Sequence, residues 1–312
     1  MPLDPRVRRF LDALAAGRPA NALEATVEGR RLGLAELMKL SGPEVAVGRI
    51  EDRTLQASGR PLGVRIYTPL DAETDTLPGL VYFHGGGLVA GNLATHDFIG
   101  RALSHYGACR VVAVDYRLAP EHPFPAALDD AMAAVTQVGT QAERFGIDGT
   151  RLGICGDSAG GALAAATCQA AARGAGPPLA LQLLICPILD YSRSTASRRE
   201  FARGYLLEQA TLDDDLKRYA PGLDPGDPRI SPLRAAAVAG LPRTRIHTAE
   251  FDPARDEGRD YFERLDRAHT DVSYTCHPGM IHLFYGLGAV IPYARTALEL
   301  VGSEIRAAFG EN

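Results

Sequence analysis

Apolar positions along the chain change period several times, and each change marks an element. Val7, Phe10, Leu11 and Leu14 recur at helical spacing, which places them on one face of a short amphipathic helix. A second helix is predicted over 33–40, stopped by the Ser41-Gly42-Pro43 breaker. Residues 45–50 and 62–67 read as half-buried strands. Short apolar runs follow at 80–83, 110–114, 152–155, 179–186 and 245–248, as expected of strands covered on both faces, and a last strand is predicted over 272–276. Helix-length segments lie between them at 96–105, 126–145, 161–173 and 257–268. This alternation predicts a mostly parallel central sheet flanked by helices, one doubly wound α/β domain.

Residues 191–230 break the rhythm. They are polar and lack a clear strand, with helices predicted over 198–209 and 211–219 before a Pro-rich return. Open α/β sheets bind ligands outside the carboxyl ends of their strands, so an insertion there is a candidate lid. The expected division is 1–44 as N-terminal cap helices, 45–190 with 231–312 as the α/β domain, and 191–230 as a cap insertion.

Composition narrows the function classes. The 312 residues suit one large domain, and 33 basic against 38 acidic side chains give a net charge of −5. With no long basic run, nucleic acid and anionic membrane surfaces are unexpected partners. No stretch reaches the 18 or so consecutive apolar residues of a membrane span. Charges interrupt the N-terminal apolar residues where a secretory signal needs continuity, so a cytoplasmic protein is expected. The 5 cysteines form no Cys-x-x-Cys and sit mostly in apolar runs, which reads as reduced core thiols.

The most informative stretch is a strand, Gly156-Asp157-Ser158-Ala159-Gly160, and a helix. A nucleophile elbow needs small neighbours because its serine occupies a strained turn packed against the next helix and strand. A bland glycine-rich turn would read the same way in isolation. A second glycine run, His84-Gly85-Gly86-Gly87, follows the 80–83 strand. Backbone N–H groups free of side chains suit an oxyanion hole. The competing reading, a phosphate cradle, lacks both the P-loop and the dinucleotide fingerprints, and only Lys39 and Lys217 are lysines. No cofactor or metal is expected.

A serine nucleophile needs a base and an orienting carboxylate. A serine–lysine pair fails, because Glu36 and Asp214 stand where the serine would precede each lysine. Among 8 histidines, His282 lies beyond the last predicted strand, with His277 as rival or as a loop histidine capping backbone. After the 245–248 strand, Asp252 stands before a strand-stopping proline, whereas Asp256 and Glu257 suit the start of the next helix.

The order Ser158, Asp252, His282 is that of α/β-hydrolases. The chain resembles the bacterial hormone-sensitive-lipase-like (family IV) carboxylesterases in His84-Gly-Gly-Gly87, in the block from Asp115-Tyr-Arg-Leu-Ala-Pro to Ala126, in Gly156-Asp-Ser-Ala-Gly-Gly161, in Ser231-Pro-Leu, and in Asp252-Pro-Ala-Arg-Asp-Glu-Gly258 followed by His282. The resemblance implies an α/β-hydrolase fold capped by N-terminal helices and an insertion. It implies Ser158 as nucleophile, His282 as base and Asp252 as orienter, with an oxyanion hole from Ala159 and two of Gly85, Gly86 and Gly87. The Asp115–Ala126 block reads instead as a structural turn.

The chain departs from the family pattern at Leu88 and Leu283, where relatives usually carry an aromatic residue. These two, with Tyr191, Tyr205 and Leu206, are the expected substrate-pocket residues. Phe201 and Leu207 could join them, although packing of the cap against the sheet explains these two, Tyr191, Tyr205 and Leu206 equally well. The expected activity is hydrolysis of small, short-to-medium-chain acyl esters through an acyl-enzyme. The rivals are an arylamide amidase or deacetylase on the same residues and a non-catalytic small-molecule receptor. The expected partner is the ester itself, and a homodimer is compatible with the sequence.

Overall fold

The computed structural model describes residues 2–17, 26–57, 59–70, 72 and 76–310. Its centre is an eight-stranded sheet: β1 (Arg49–Ala57), β2 (Arg60–Thr68), β3 (Leu77–Phe83), β4 (Arg110–Val114), β5 (Ile147–Asp157), β6 (Leu181–Ile185), β7 (Arg243–Phe251) and β8 (Val272–Ile281), in the order β1-β2-β4-β3-β5-β6-β7-β8. The β1–β2 and β2–β4 pairs are antiparallel and the remainder parallel.

Nine α-helices are present among the described residues: α1 (Pro5–Gly17), α2 (Val27–Met38), α3 (Asp97–Gly107), α4 (Ala126–Thr140), α5 (Ala159–Ala170), α6 (Ala196–Glu200), α7 (Gln209–Tyr219), α8 (Arg255–Arg267) and α9 (Tyr293–Phe309). Successive strand side chains point to opposite faces, and the core divides accordingly. Val81, Val112 and Ile154 pack with Ala131 of α4, Leu163 of α5 and Leu265 of α8. Leu80, Val111 and Cys155 pack on the other side with Val7 of α1, Leu103 of α3 and Val301 of α9. The buried apolar runs thus became two-sided strands, as their composition required.

Several expected boundaries are corrected. The strand expected at 45–50 lies at Arg49–Ala57, where the β1–β2 pairing supplies its backbone partners. The second helix starts earlier, with Thr26 capping the Gly29 amide at 3.0 Å. The helix expected over 198–209 shrinks to α6, ended by bends through 202–207. The sequence reading omitted α9, although Ala294, Ala297, Leu298, Val301 and Ile305 are buried at helical spacing.

Buried acids tie the insertion to the sheet edge. Glu257 accepts hydrogen bonds from the Leu189 and Asp190 amides at 2.7 and 2.9 Å and pairs with Arg198 of α6 at 2.6 Å. Asp256 accepts the Ser197 amide at 2.8 Å. No helix among the described residues is long and apolar enough to cross a membrane.

Candidate active site

The site gathers at the carboxyl ends of four strands. Ser158 follows β5, Asp252 follows β7, His282 follows β8, and the glycine run follows β3. Between β5 and α5, Ser158 adopts φ 54° and ψ −123°, a conformation costly for a residue with a Cβ. Close packing holds it there. A Cβ on Gly156 would overlap the Gly160 carbonyl, and one on Gly160 would overlap the Phe83 carbonyl. The Ser158 amide donates to the Ile185 carbonyl at 2.9 Å, and the Ser158 carbonyl accepts the Ile188 amide at 3.0 Å.

Ser158 Oγ lies 2.8 Å from His282 Nε2, and His282 Nδ1 lies 2.7 Å from Asp252 Oδ2. A carboxylate can only accept, so its position at Nδ1 calls for the proton there and leaves Nε2 to accept from the serine hydroxyl. Asp252 is fully buried, and its Oδ1 accepts the Ala254 amide at 2.8 Å. All three residues singled out in the sequence are therefore brought together.

The rival residues have other partners. His277 lies inside β8, not in a loop, because that strand runs on to Ile281; its ring meets His247 and Tyr293. Asp256 and Glu257 open α8 and bind the insertion as described above.

The glycine loop is held by the strand carrying the serine. Asp157 Oδ1 accepts the Gly85 amide at 2.9 Å and the Tyr82 hydroxyl at 2.6 Å. This corrects one expectation: the Gly85 N–H is already committed to Asp157 and is no free oxyanion donor. The amides of Gly86, Gly87 and Ala159 have no acceptor among the described residues. Gly86 has φ 117°, accessible at low cost only to glycine, and its carbonyl accepts the Ala90 amide at 2.9 Å. Ala159 opens α5, so its N–H points out of the positive end of the helix dipole.

Buried rings support the loop from behind. Tyr116 donates to the His84 carbonyl at 2.6 Å and stacks on the His84 ring at 4.4 Å, while the Ala119 amide donates to the Leu88 carbonyl at 2.8 Å. The Asp115–Ala126 block is thereby a clamp on the glycine loop. Burial pushes His84 down to about 3, with neighbouring His96 adding to the effect, and burial pushes His96 down to about 4. Both rings are neutral at neutral pH, so the 3.8 Å approach of His96 to Asp157 is not an ion pair. Burial raises the Asp157 carboxyl, partly countered by the hydrogen bond from Tyr82.

A cavity of about 10 Å³ touches Ser158 and His282 and is lined by Ile99, Ile185, Cys186, Leu283 and Tyr285. Space of that order holds a single water. Of the five expected pocket residues, only Leu283 lines it among the described residues. Leu88 is buried in the main core near the glycine loop, because its positive φ turns the chain inward. Tyr191 packs between two core clusters, Tyr205 stacks on Phe251 at 5.7 Å, and Leu206 packs beside the second core.

Cys186 and Tyr285 escaped the sequence reading. The first looked like another strand thiol, and the second lies in a short turn after His282. The donor atoms of Cys186, Asp252 and His282 lie within 4.8 Å of one another, close enough to share a metal ion. Asp252 and His282 already bind each other, so a metal there would have to break that hydrogen bond.

A family profile described as the alpha/beta hydrolase fold matches residues 80–286. The chain is 38% identical over 302 residues to carboxylesterase NlhH of Mycobacterium tuberculosis, covering 95% of this chain and 92% of that one. The chain belongs to the hormone-sensitive-lipase-like, family IV carboxylesterases. Another relative, ethyl acetate hydrolase of Pseudomonas putida, is 37% identical over 313 residues, with 96% of this chain and 98% of that one covered. Among solved structures, ester-hydrolase EH1AB1 from the metagenome of Lake Arreo, complexed with a bipyridine phosphonate derivative, superposes with a TM-score of 0.94 at 39% identity, covering 99% of each chain. The family IV assignment spans the sheet, the glycine loop and the insertion together.

Proposed function

We propose that this chain is a serine carboxylester hydrolase acting on small, short-to-medium-chain acyl esters. The observation that carries the reading is the continuous hydrogen-bonded line from Ser158 through His282 to Asp252 beside unengaged backbone amides. His282 Nε2 takes the hydroxyl proton as Ser158 Oγ attacks the ester carbonyl, and Asp252 stabilises the imidazolium that forms. The carbonyl oxygen, now an oxyanion, is met by the N–H of Ala159 at the start of α5 and those of Gly86 and Gly87 in the loop after β3. The tetrahedral adduct collapses as His282 protonates the leaving alcohol, giving an acyl-Ser158. Water, deprotonated by the same nitrogen, then attacks the acyl carbon, and the acid departs as Ser158 regains its proton.

The small apolar cavity supports short acyl chains. The cap is assigned to 1–44 and 191–230, a reading supported by α2 and α7 meeting over the glycine loop through Arg30 and Asp215 at 3.2 Å. The cysteines form no disulfide among the described residues, which suits a reducing cytoplasm. A homodimer is also proposed, because β8 lies at the sheet edge and offers a second copy its outer side.

Initial rates on p-nitrophenyl esters from acetyl to palmitoyl, plus a matched anilide, test the reading in wild type and Ser158→Ala. Fast turnover of short esters, lost in the variant, is expected. Turnover of the anilide in preference to the esters would favour an amidase, and no turnover at all, with no organophosphate labelling of Ser158, would favour the receptor.

A further inference from the structure

A buried ion pair stands beside the glycine loop and takes no part in the steps above. Asp215 of α7 is only 2% exposed and packs against Gly87 so closely that a Cβ there would overlap its carboxylate. Its Oδ2 lies 3.2 Å from Arg30 Nη2 on α2. Its Oδ1 is buried with no hydrogen-bond partner among the described residues, and Arg30 Nε is in the same state. A buried acceptor left unfilled costs stability, so such an atom against the glycine loop calls for a donor.

The electrostatics select the kind of donor. An isolated carboxylate this close to the glycine amides would repel a developing oxyanion, and the Arg30 guanidinium offsets that charge. A substrate ammonium attracted to Asp215 would meet Arg30 as well. A neutral hydroxyl meets only the open lone pairs of Oδ1. Burial pushes the Asp215 carboxyl up to about 6, against the lowering effect of Arg30, so above that pH it is a charged and therefore strong acceptor.

We propose that Asp215 is a specificity-determining residue that accepts a hydrogen bond from a substrate hydroxyl, so that the preferred substrates are hydroxyl-bearing esters. This rests on the esterase reading and deepens it. Because Gly87 is a candidate oxyanion donor, the hydroxyl lies within about four bonds of the scissile carbonyl, on either the acid or the alcohol half.

The test compares kcat/KM for ethyl butanoate, ethyl 3-hydroxybutanoate and 2-hydroxyethyl butanoate in wild type, Asp215→Leu and Asp215→Asn. The ratio of one hydroxy ester to the plain ester is expected to fall about tenfold or more in Asp215→Leu, and about threefold or more in Asp215→Asn, whose amide keeps an uncharged acceptor. The hydroxy ester whose ratio falls identifies the half that carries the hydroxyl. Should the Leu variant not fold, the near-isosteric Asn variant carries the test. Ratios unchanged in the folded variants, as expected if a buried water fills Oδ1, overturn the proposal while turnover of ethyl butanoate leaves the esterase reading standing. If wild type hydrolyses none of the three, both readings fall.

Discussion

Two buried histidines in this molecule are each held by a carboxylate. His282 is 2.7 Å from Asp252, and His247 is 2.7 Å from Glu304 of α9. What differs is the far nitrogen. For His282 it faces the Ser158 hydroxyl at 2.8 Å, beside a cavity; for His247 it faces the His277 ring at 3.1 Å, with Tyr293 beyond. Burial, reinforced by His247, pushes His277 down to about 3. A histidine held by a carboxylate is thus a common way to satisfy a buried ring. It becomes a general base only when its other nitrogen meets a hydroxyl at a strained turn with oxyanion donors beside it.

The largest expected effect divides the two groups directly. His282→Ala should lower kcat for a short ester by about four orders of magnitude, while His277→Gln stays within about threefold of wild type. Comparable losses in both would erase the distinction. The carboxylates should divide the same way. Asp252→Asn, which favours the wrong imidazole tautomer, should cost about 10⁴ in kcat. Glu304→Gln should instead leave the rate largely intact and lower unfolding free energy by about 1–3 kcal/mol, read from urea midpoints. A large catalytic loss from Glu304→Gln would mean that the outer pair is wired to the chemistry.

A smaller effect probes the loop beside the nucleophile. Asp157→Ala releases the Gly85 amide and the Tyr82 hydroxyl together, so the glycine loop loses its register against Ser158. A fall of about ten- to a hundredfold in kcat, with KM little changed, is expected. Wild-type kcat in this variant would show that the loop holds its shape without Asp157.

The smallest concerns acid stability. Unfolded histidines titrate near pH ~6.5, whereas burial holds His84 and His277 at about 3 and His96 at about 4. Between those values the unfolded chain binds protons that the folded one refuses. Their contribution is therefore complete above the unfolded value and declines as pH falls toward the folded ones. Asp215, raised to about 6, acts in the opposite sense by gaining a proton in the fold. Asp157 and Glu257, which burial also raises, act with Asp215, so the histidine share is read by difference: between pH ~7.5 and ~5 a His277→Gln variant should lose about 1–2 kcal/mol less unfolding free energy than wild type. The same pH dependence of the urea midpoint in both proteins would contradict the neutral assignment of the His277 ring.

Local constraints were legible in the residues themselves. The elbow at Ser158 and the run from His84 to Gly87 could be read because their backbone conformations exclude most side chains within a few residues of chain. The sheet was legible for a similar reason: runs such as 80–83 and 110–114 are too short for helices and too apolar for any exposed element. Asp252 could be chosen because a proline follows it. Choosing His282 over His277 was harder, since nothing local showed that β8 continues to Ile281.

Tertiary structure decided what depends on partners distant in sequence. The Gly85 amide is removed from the oxyanion donors by Asp157, Leu88 is drawn into the core, and Cys186 reaches the site from the end of a strand whose neighbours bracket it. Asp215 comes against Gly87 only because α7 folds back over the loop. Sequence by itself determined the fold class, the Ser158 elbow and the order serine, carboxylate, histidine, since those follow from short-range backbone limits and chain order. Which amides remain free, which rings stay neutral and what lines the cavity were decided by the folded structure, because hydrogen bonding and desolvation depend on every group that comes near.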